Sequence, residues 1–302
     1  MIANIKRTLR LAGMRPLPRW PTRTQVDLRG KRILLTGGSS GIGAVAAEKL
    51  AATGATVIVV ARREKLLAEV VERITSAGGS ASAMAADLSD LDAVDRVVKA
   101  VGPVDILINN AARSIRRPLA ESLARWHDVE RVMQLNYFAP LRLIRGLAPG
   151  MIERGDGHII NVATWRVLPE SSPMFAAYNA SKAALSAVSR VIDTEWGHLG
   201  VHSTTVYYPL VATPMIAPTR AYAGVAALTP DEAADWMVTA ARTRPIRVAP
   251  RKALALRALD VVAPRALNNI LERETNRMNG RACRVDDGTP LSAVSIPLAR
   301  PS

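Results

Sequence analysis

A single cysteine in 302 residues, Cys283, excludes an internal disulfide and suits a reducing, intracellular setting. Aromatic residues are sparse at 4%. No apolar run approaches the ~20 residues that a membrane-spanning helix needs. No secretory leader is expected, because Lys6, Arg7 and Arg10 interrupt the first apolar residues. The four histidines, His127, His158, His198 and His202, lack ligand spacing, so no metal is expected and they read as surface or strand-end residues. Internal repeats of solenoid period are absent too. What remains is a chain with 49% apolar and 22% charged residues, close to globular averages, long enough for one large core with appendages.

Charge is unevenly placed. The formal net charge is +14, but residues 1–32 carry +8, residues 33–241 carry −1 and residues 242–277 carry +6. A neutral centre with basic ends suits an anionic membrane surface or a phosphorylated substrate. Nucleic acid ranks last, because no nucleic-acid-binding motif accompanies the basic residues. In the opening segment Ile2, Ile5, Leu9 and Ala12 recur at helical spacing between basic residues. Such a stretch either lies on a membrane or packs on its own domain. The expected location is cytoplasmic, with membrane association on the cytoplasmic face left open. Pro16, Pro18 and Pro21, with Trp20 among them, end the segment.

From Arg32 onward, β-branched runs alternate with segments of helical period, the pattern of a doubly wound parallel sheet of the Rossmann type in an α/β fold. Strands are expected at Ile33–Leu35, Val57–Val60, Ala81–Ala85, Ile106–Ile108, Ile159–Val162 and Ser203–Val206, covered by helices on both faces. Helices are expected near Ile42–Ala52, Lys65–Ser76, Leu91–Ala100, Trp126–Arg154 (broken near Pro140) and Tyr178–His198. Pro209, Pro214 and Pro218 space a loop of the kind that often covers a substrate, before a helix near Pro230. Residues 251–278 read as a helical extension broken at Pro264, with Leu256, Leu259, Leu267 and Ile270 as apolar points, and 279–302 as a flexible tail. The chain thus divides into a basic segment 1–30, a main domain 31–250, the extension and the tail.

Thr36-Gly37-Gly38-Ser39-Ser40-Gly41-Ile42-Gly43 follows the first strand and opens a helix. Glycines there let the backbone turn tightly and approach a pyrophosphate, which a helix N-terminus can hold. The context of strand and helix is what turns a common Gly-rich string into a dinucleotide signal. The second strand ends in Ala61-Arg62-Arg63-Glu64 without an acid, which favours NADP(H). Arg62 is assigned to the 2′-phosphate and Arg63 to a solvated helix start. Asp87, followed by Leu88, stands where a carboxylate can accept from the adenine amino group. Asn109-Asn110-Ala111 ends the fourth strand, where small residues admit a cofactor and Asn110 serves it or bridges strand ends.

Tyr178 and Lys182 lie four residues apart and therefore on one helical face. An ammonium beside a phenol favours the phenolate, which lets a tyrosine exchange a proton near neutral pH.

Together these residues resemble the short-chain dehydrogenase/reductase superfamily, marked by TGxxxGIG, NNAG, a mid-chain Asn and YxxxK, over about residues 30–250. Three further stretches, Asn109–Arg117, Met133–Phe138 and Tyr208–Thr219, resemble the bacterial long-chain fatty acyl-CoA reductases of that superfamily. Three departures stand out. Ala112 replaces the Gly of NNAG, Pro209 is followed by Leu210 rather than Gly, and the family Ser is matched by Thr164, fourteen residues before Tyr178 instead of thirteen. The thirteenth position is Trp165, and an extra loop residue resolves the count.

The resemblance implies that Tyr178 protonates the substrate oxygen while a hydride arrives, that Lys182 lowers the tyrosine pKa and holds the nicotinamide ribose, and that Thr164 donates to the carbonyl. It implies that Asn136 orders a water relay, and that Val211 and Thr213 meet the nicotinamide. A fatty acyl-CoA would pass through a hemithioacetal to an aldehyde without a covalent enzyme intermediate, consistent with a lone cysteine in the tail. Arg113, Arg116 and Arg117 grip CoA phosphates or form a solvated loop. Met215, Ile216 and Tyr222 line an acyl trough or close the domain. A ketone, aldehyde or 3-oxoacyl reductase uses the same residues, and a cofactor-binding regulator is the reading from another class. A homodimer or homotetramer is implied by resemblance alone.

Overall fold

The computed structural model describes residues 13, 14, 16, 25–217, 219–222 and 225–285. The amphipathic stretch at Ile2–Ala12, the prolines at 18, 21 and 218, Trp20 and residues 286–302 lie outside them. Seven strands alternate with helices: β1 (Arg32–Thr36), α1 (Gly41–Ala51), β2 (Thr56–Ala61), α2 (Glu64–Ser76), β3 (Ser80–Ala85), α3 (Leu91–Val101) and β4 (Ile106–Asn109) form the first half. The second half holds α4 (Trp126–Met133), α5 (Ala139–Glu153), β5 (Gly157–Thr164), α6 (Ala176–Trp196), β6 (Val201–Tyr208), α7 (Pro230–Thr243) and β7 (Arg247–Val248). Two further helices, α8 (Arg251–Val262) and α9 (Pro264–Val285), complete the described chain.

All strands are parallel, in the order β3-β2-β1-β4-β5-β6-β7. Side chains alternate across a pleated strand, so β1 sends Ile33 and Leu35 into one core and Leu34 into another. The first core is closed by α1, α2 and α7, the second by α3, α5 and α6. The expected double coverage holds for the central strands but not for β3, an edge strand whose Ser80, Ser82 and Ala83 are exposed. β7, only two residues long, was too short to carry a period and went unanticipated.

The expected break near Pro140 takes another form. Gln134–Phe138 winds as a π-turn that joins α4 to α5 without a gap, and Pro140 follows it at the start of α5, so the helix is rewound there rather than broken. The break at Pro264 falls between α8 and α9, but Ile270 is 46% exposed while its neighbour Leu271 is buried with Leu267. The segment read as tail begins inside α9, which runs to Val285 and carries Cys283. Nor is the basic N-terminal segment wholly an appendage: Leu28 is fully buried, and the Val26 N–H donates to the Arg242 carbonyl. His158, read as a surface or strand-end residue, takes the strand-end place: it is buried at the head of β5, its Nε2 2.8 Å from Thr204 Oγ1.

Candidate active site

Strand order reverses between β1 and β4, and helices cross to opposite faces there, so a crevice opens beyond the carboxyl ends of the strands. A cleft of ≈ 720 Å³ occupies that edge.

At the reversal, the Thr36 hydroxyl donates to the Ile108 carbonyl and accepts from the N–H groups of Asn110 and Ala111. The Asn110 amide donates to the carbonyls of Thr36 and Gly37. Thr36 is buried by this stitching, and so is Asn109, whose amide donates to Asn161 Oδ1 at 2.9 Å. Both were expected to touch the cofactor, and both instead sit behind the wall, fixing its shape. Asn110 takes the bridging role.

The glycine-rich turn has no room for side chains. Gly37 adopts φ +71°, and a Cβ on it would come within 2.9 Å of Ala111 Cα. A Cβ on Gly43 would stand 2.2 Å from the Gly37 carbonyl oxygen. Ser40 is the N-cap of α1 but makes no capping bond with its side chain, so the N–H groups of the first turn face the cleft edge without a side-chain acceptor. A bare backbone, an uncapped helix start and adjacent guanidinium groups suit a dinucleotide diphosphate. Ser39, Gly41 and Ile42 line the cleft with them.

Arg63 departs from expectation. As the N-cap of α2 it turns back over the glycine-rich loop and donates to Ser39 Oγ at 3.1 Å and Ser40 Oγ at 2.7 Å. Arg62 lies 3.9 Å from Asp87, which also accepts from the Ser89 N–H. Both arginines line the cleft, with Asp87 and the buried Leu88 beside them. Ala112 keeps an ordinary backbone: Glu170, Met174 and Arg244 are the described non-glycine residues with positive φ, so the Gly-to-Ala departure costs no strain.

Across the edge, β5 delivers Thr164 and α6 delivers Tyr178 and Lys182 to the same cleft. Between them run a 3-10 turn, Trp165–Val167, and a loop where Glu170 and Met174 take positive φ. Thr164 caps that turn, its Oγ1 3.4 Å from the Arg166 N–H. Lys182 is 1% exposed, and its Nζ donates to the Val162 carbonyl at 2.7 Å. Burial lowers its pKa to about 7, and burial with the neighbouring Tyr222 phenol pushes Tyr178 up to about 12. Burial thus opposes the phenolate, a contribution that the four-residue spacing of the pair did not show.

Asn136 does not face the cleft. It is fully buried in the π-turn, where its Oδ1 accepts from the Arg113 N–H and its Nδ2 donates to the Arg113 carbonyl and Ser181 Oγ. Ser181 in turn donates to the Tyr178 carbonyl, so Asn136 ties the loop after β4 to the helix bearing Tyr178. Val211 and Thr213 line the cleft after β6, and a Cβ on Gly41 would meet Thr213 Cγ2 at 3.3 Å.

Arg113 and Arg116 line the cleft, whereas Arg117 is diverted to Asp128 at 3.3 Å. Met215, Ile216 and Tyr222 line it as well. The sequence reading missed Arg166, Phe175 and Lys252, which share this end. Arg166 beside Trp165, immediately after the candidate hydroxyl, was the available signal. Lys252 had none, being remote in sequence and assigned to an extension.

A parallel sheet in this order, a glycine-rich turn at its reversal and Thr164, Tyr178 and Lys182 across one cleft define a class, and comparison agrees: the short chain dehydrogenase family profile matches residues 31–223. The chain belongs to the short-chain dehydrogenase family and is an oxidoreductase of that type, a family that works with nicotinamide dinucleotides. More particularly, it is 65% identical over 279 residues to a fatty acyl-CoA reductase of Mycobacterium tuberculosis, covering 89% of this chain and 95% of the relative. It is 47% identical over 249 residues to a fatty acyl-CoA reductase of Acinetobacter baylyi, covering 81% and 84%. A metagenomic short-chain oxidoreductase solved in complex with NADP is 31% identical, with a TM-score of 0.62 over 74% of this chain and 98% of that one.

Proposed function

We propose that the protein is an NADPH-dependent fatty acyl-CoA reductase that releases a fatty aldehyde. The observation that carries this reading is the 65% identity, over nearly the whole chain, to a relative of that name. The cleft supports it, since the apolar Met215, Ile216 and Val225 line it together with Thr164 and Tyr178.

When bound, the reduced nicotinamide supplies hydride to the substrate carbon. The glycine-rich turn and the start of α1 hold the diphosphate, Arg62 and Arg63 take the 2′-phosphate, and Val211 and Thr213 meet the nicotinamide end. Arg63, already donating to two serine hydroxyls on the turn, is the better placed of the two arginines. Thr164 donates to the thioester oxygen and orients it. Tyr178 gives its proton to that oxygen as charge develops there. Lys182 as an ammonium steadies the phenolate left behind, and Asn136 positions α6 rather than touching substrate.

Consumption of NADPH by the full-length enzyme, with palmitoyl-CoA compared against a ketone panel, tests the reading. Thioester-dependent oxidation with aldehyde formation is expected. Turnover confined to ketones would replace it with the ketone or 3-oxoacyl reductase alternative.

A further inference from the structure

Strand order fixes where along the cleft each charge lies. Arg62 and Asp87 follow β2 and β3 at one end, while Thr164 ends β5, Pro209 follows β6 and Lys252 follows β7 at the other. Toward that second end, four cations from three separated stretches line the wall: Arg113 and Arg116 from the loop after β4, Arg166 after β5, and Lys252 in the first turn of α8. One carboxylate, Glu274 of α9, lines it with them. No ion pair among the described residues engages Arg113, Arg166 or Lys252, whereas Arg117, Arg125 and His127 all converge on Asp128.

Arg166 is the most firmly held of the set. Its guanidinium carbon lies 5.3 Å from the centre of the Trp165 ring and 5.9 Å from that of Phe175. Lys252 Nζ lies 5.8 Å from the same Trp165 ring. Two cations thus gather on one indole, an arrangement that their mutual repulsion opposes and an anion would relieve. A guanidinium already laid against aromatic rings loses little freedom on binding and presents its fork of donors to phosphate oxygens. The apolar wall of Met215, Ile216 and Val225 makes no use of these charges, so they serve a different part of the ligand.

We propose that Arg166, with Lys252 and Arg113 around it, is the clamp for the phosphates of coenzyme A, the polar handle of the thioester substrate. The proposal rests on the acyl-CoA reading and names the residues that select that carrier. The anionic handle would approach beyond β5 to β7, while the acyl chain follows the loop after β6.

Calorimetric titration of free CoA into the NADP⁺-loaded, full-length enzyme tests it without requiring turnover. Wild type should bind CoA, and the Arg166→Gln/Lys252→Gln variant should bind it about tenfold or more weakly. Pantetheine, which lacks the phosphates, should lose far less, and unchanged NADP⁺ affinity reports an intact fold. Glu274→Gln, which removes the acid on this wall, should tighten CoA about two- to fivefold. The clamp is overturned if wild type does not bind CoA, if the double variant binds it as well as wild type, if pantetheine weakens equally, or if Glu274→Gln brings no gain. CoA held through these residues in an enzyme that leaves decanoyl-CoA unreduced would keep the clamp and sink the acyl-CoA reading. Reduction of decanoyl-CoA with undiminished CoA affinity in the double variant would do the reverse.

Discussion

Where the cleft passes β1 and β4, the polar side chains are engaged by protein: Thr36 and Asn110 bond backbone and one another, and the Asn109 amide donates to Asn161. Where it passes β5 to β7, Thr164 accepts a single long bond, no described group hydrogen-bonds the Tyr178 hydroxyl, and Arg166 and Lys252 rest on rings rather than on acids. The first region is pre-shaped for a ligand of fixed outline. The second keeps its donors available for a carbonyl and an anion. Such a division suits an enzyme that holds one cofactor throughout its family and changes substrates around it.

The contrast can be tested at both ends. Tyr178→Phe should lower kcat about 10²–10⁴-fold, the usual weight of a positioned acid, with NADPH affinity nearly unchanged, as read by steady-state kinetics and NADPH fluorescence titration. Unaltered turnover would remove Tyr178 as proton donor. At the cofactor end, Arg63→Gln should cost about 10–100-fold in the preference for NADPH over NADH, more than Arg62→Gln does. The reverse ranking would restore Arg62 as the phosphate ligand.

The smallest effect is on stability and carries a pH signature. Lys182 has a pKa of about 7 in the folded chain against 10.5 as its ordinary value. Between these values the unfolded chain binds the extra proton, so the burden is full below pH 7 and fades as pH rises toward about 10.5. Lys182→Met should therefore stabilise the fold at neutral or lower pH, by on the order of 1–3 kcal/mol after loss of the bond to Val162, while abolishing turnover. The gain in Tm should shrink at alkaline pH. In the wild type, kcat/KM for NADPH, which reports the free enzyme, should fall as pH rises through about 7 and the ammonium is lost.

Much of this was legible in the residues. The sheet followed from β-branched runs alternating with helical periods, and the glycine-rich turn and Tyr178/Lys182 pair announced themselves by local spacing. What the sequence could not rank was direction. Arg62 and Arg63 are adjacent, and which one folds back over the turn depends on α2 beginning at Glu64. Asn136 was singled out by type and place, but that a π-turn would direct its amide onto the Arg113 backbone had no local signature. The phenol's pKa depended on burial, which spacing does not reveal. Arg166 and Lys252 meet only through a loop and a seventh strand too short to carry a period.

The contact between the opening segment and α8 ties two ends of the polypeptide together. Pro16 forms an antiparallel bridge with Pro250, and the Lys252 N–H donates to the Gly13 carbonyl at 3.0 Å. Pro250 and Lys252 also line the cleft, and so does Met14. Deleting the first thirty residues would thus strip a strut from the catalytic mouth. By the same linkage, a shift at Gly13 or Pro16 would reach the residues that greet the substrate.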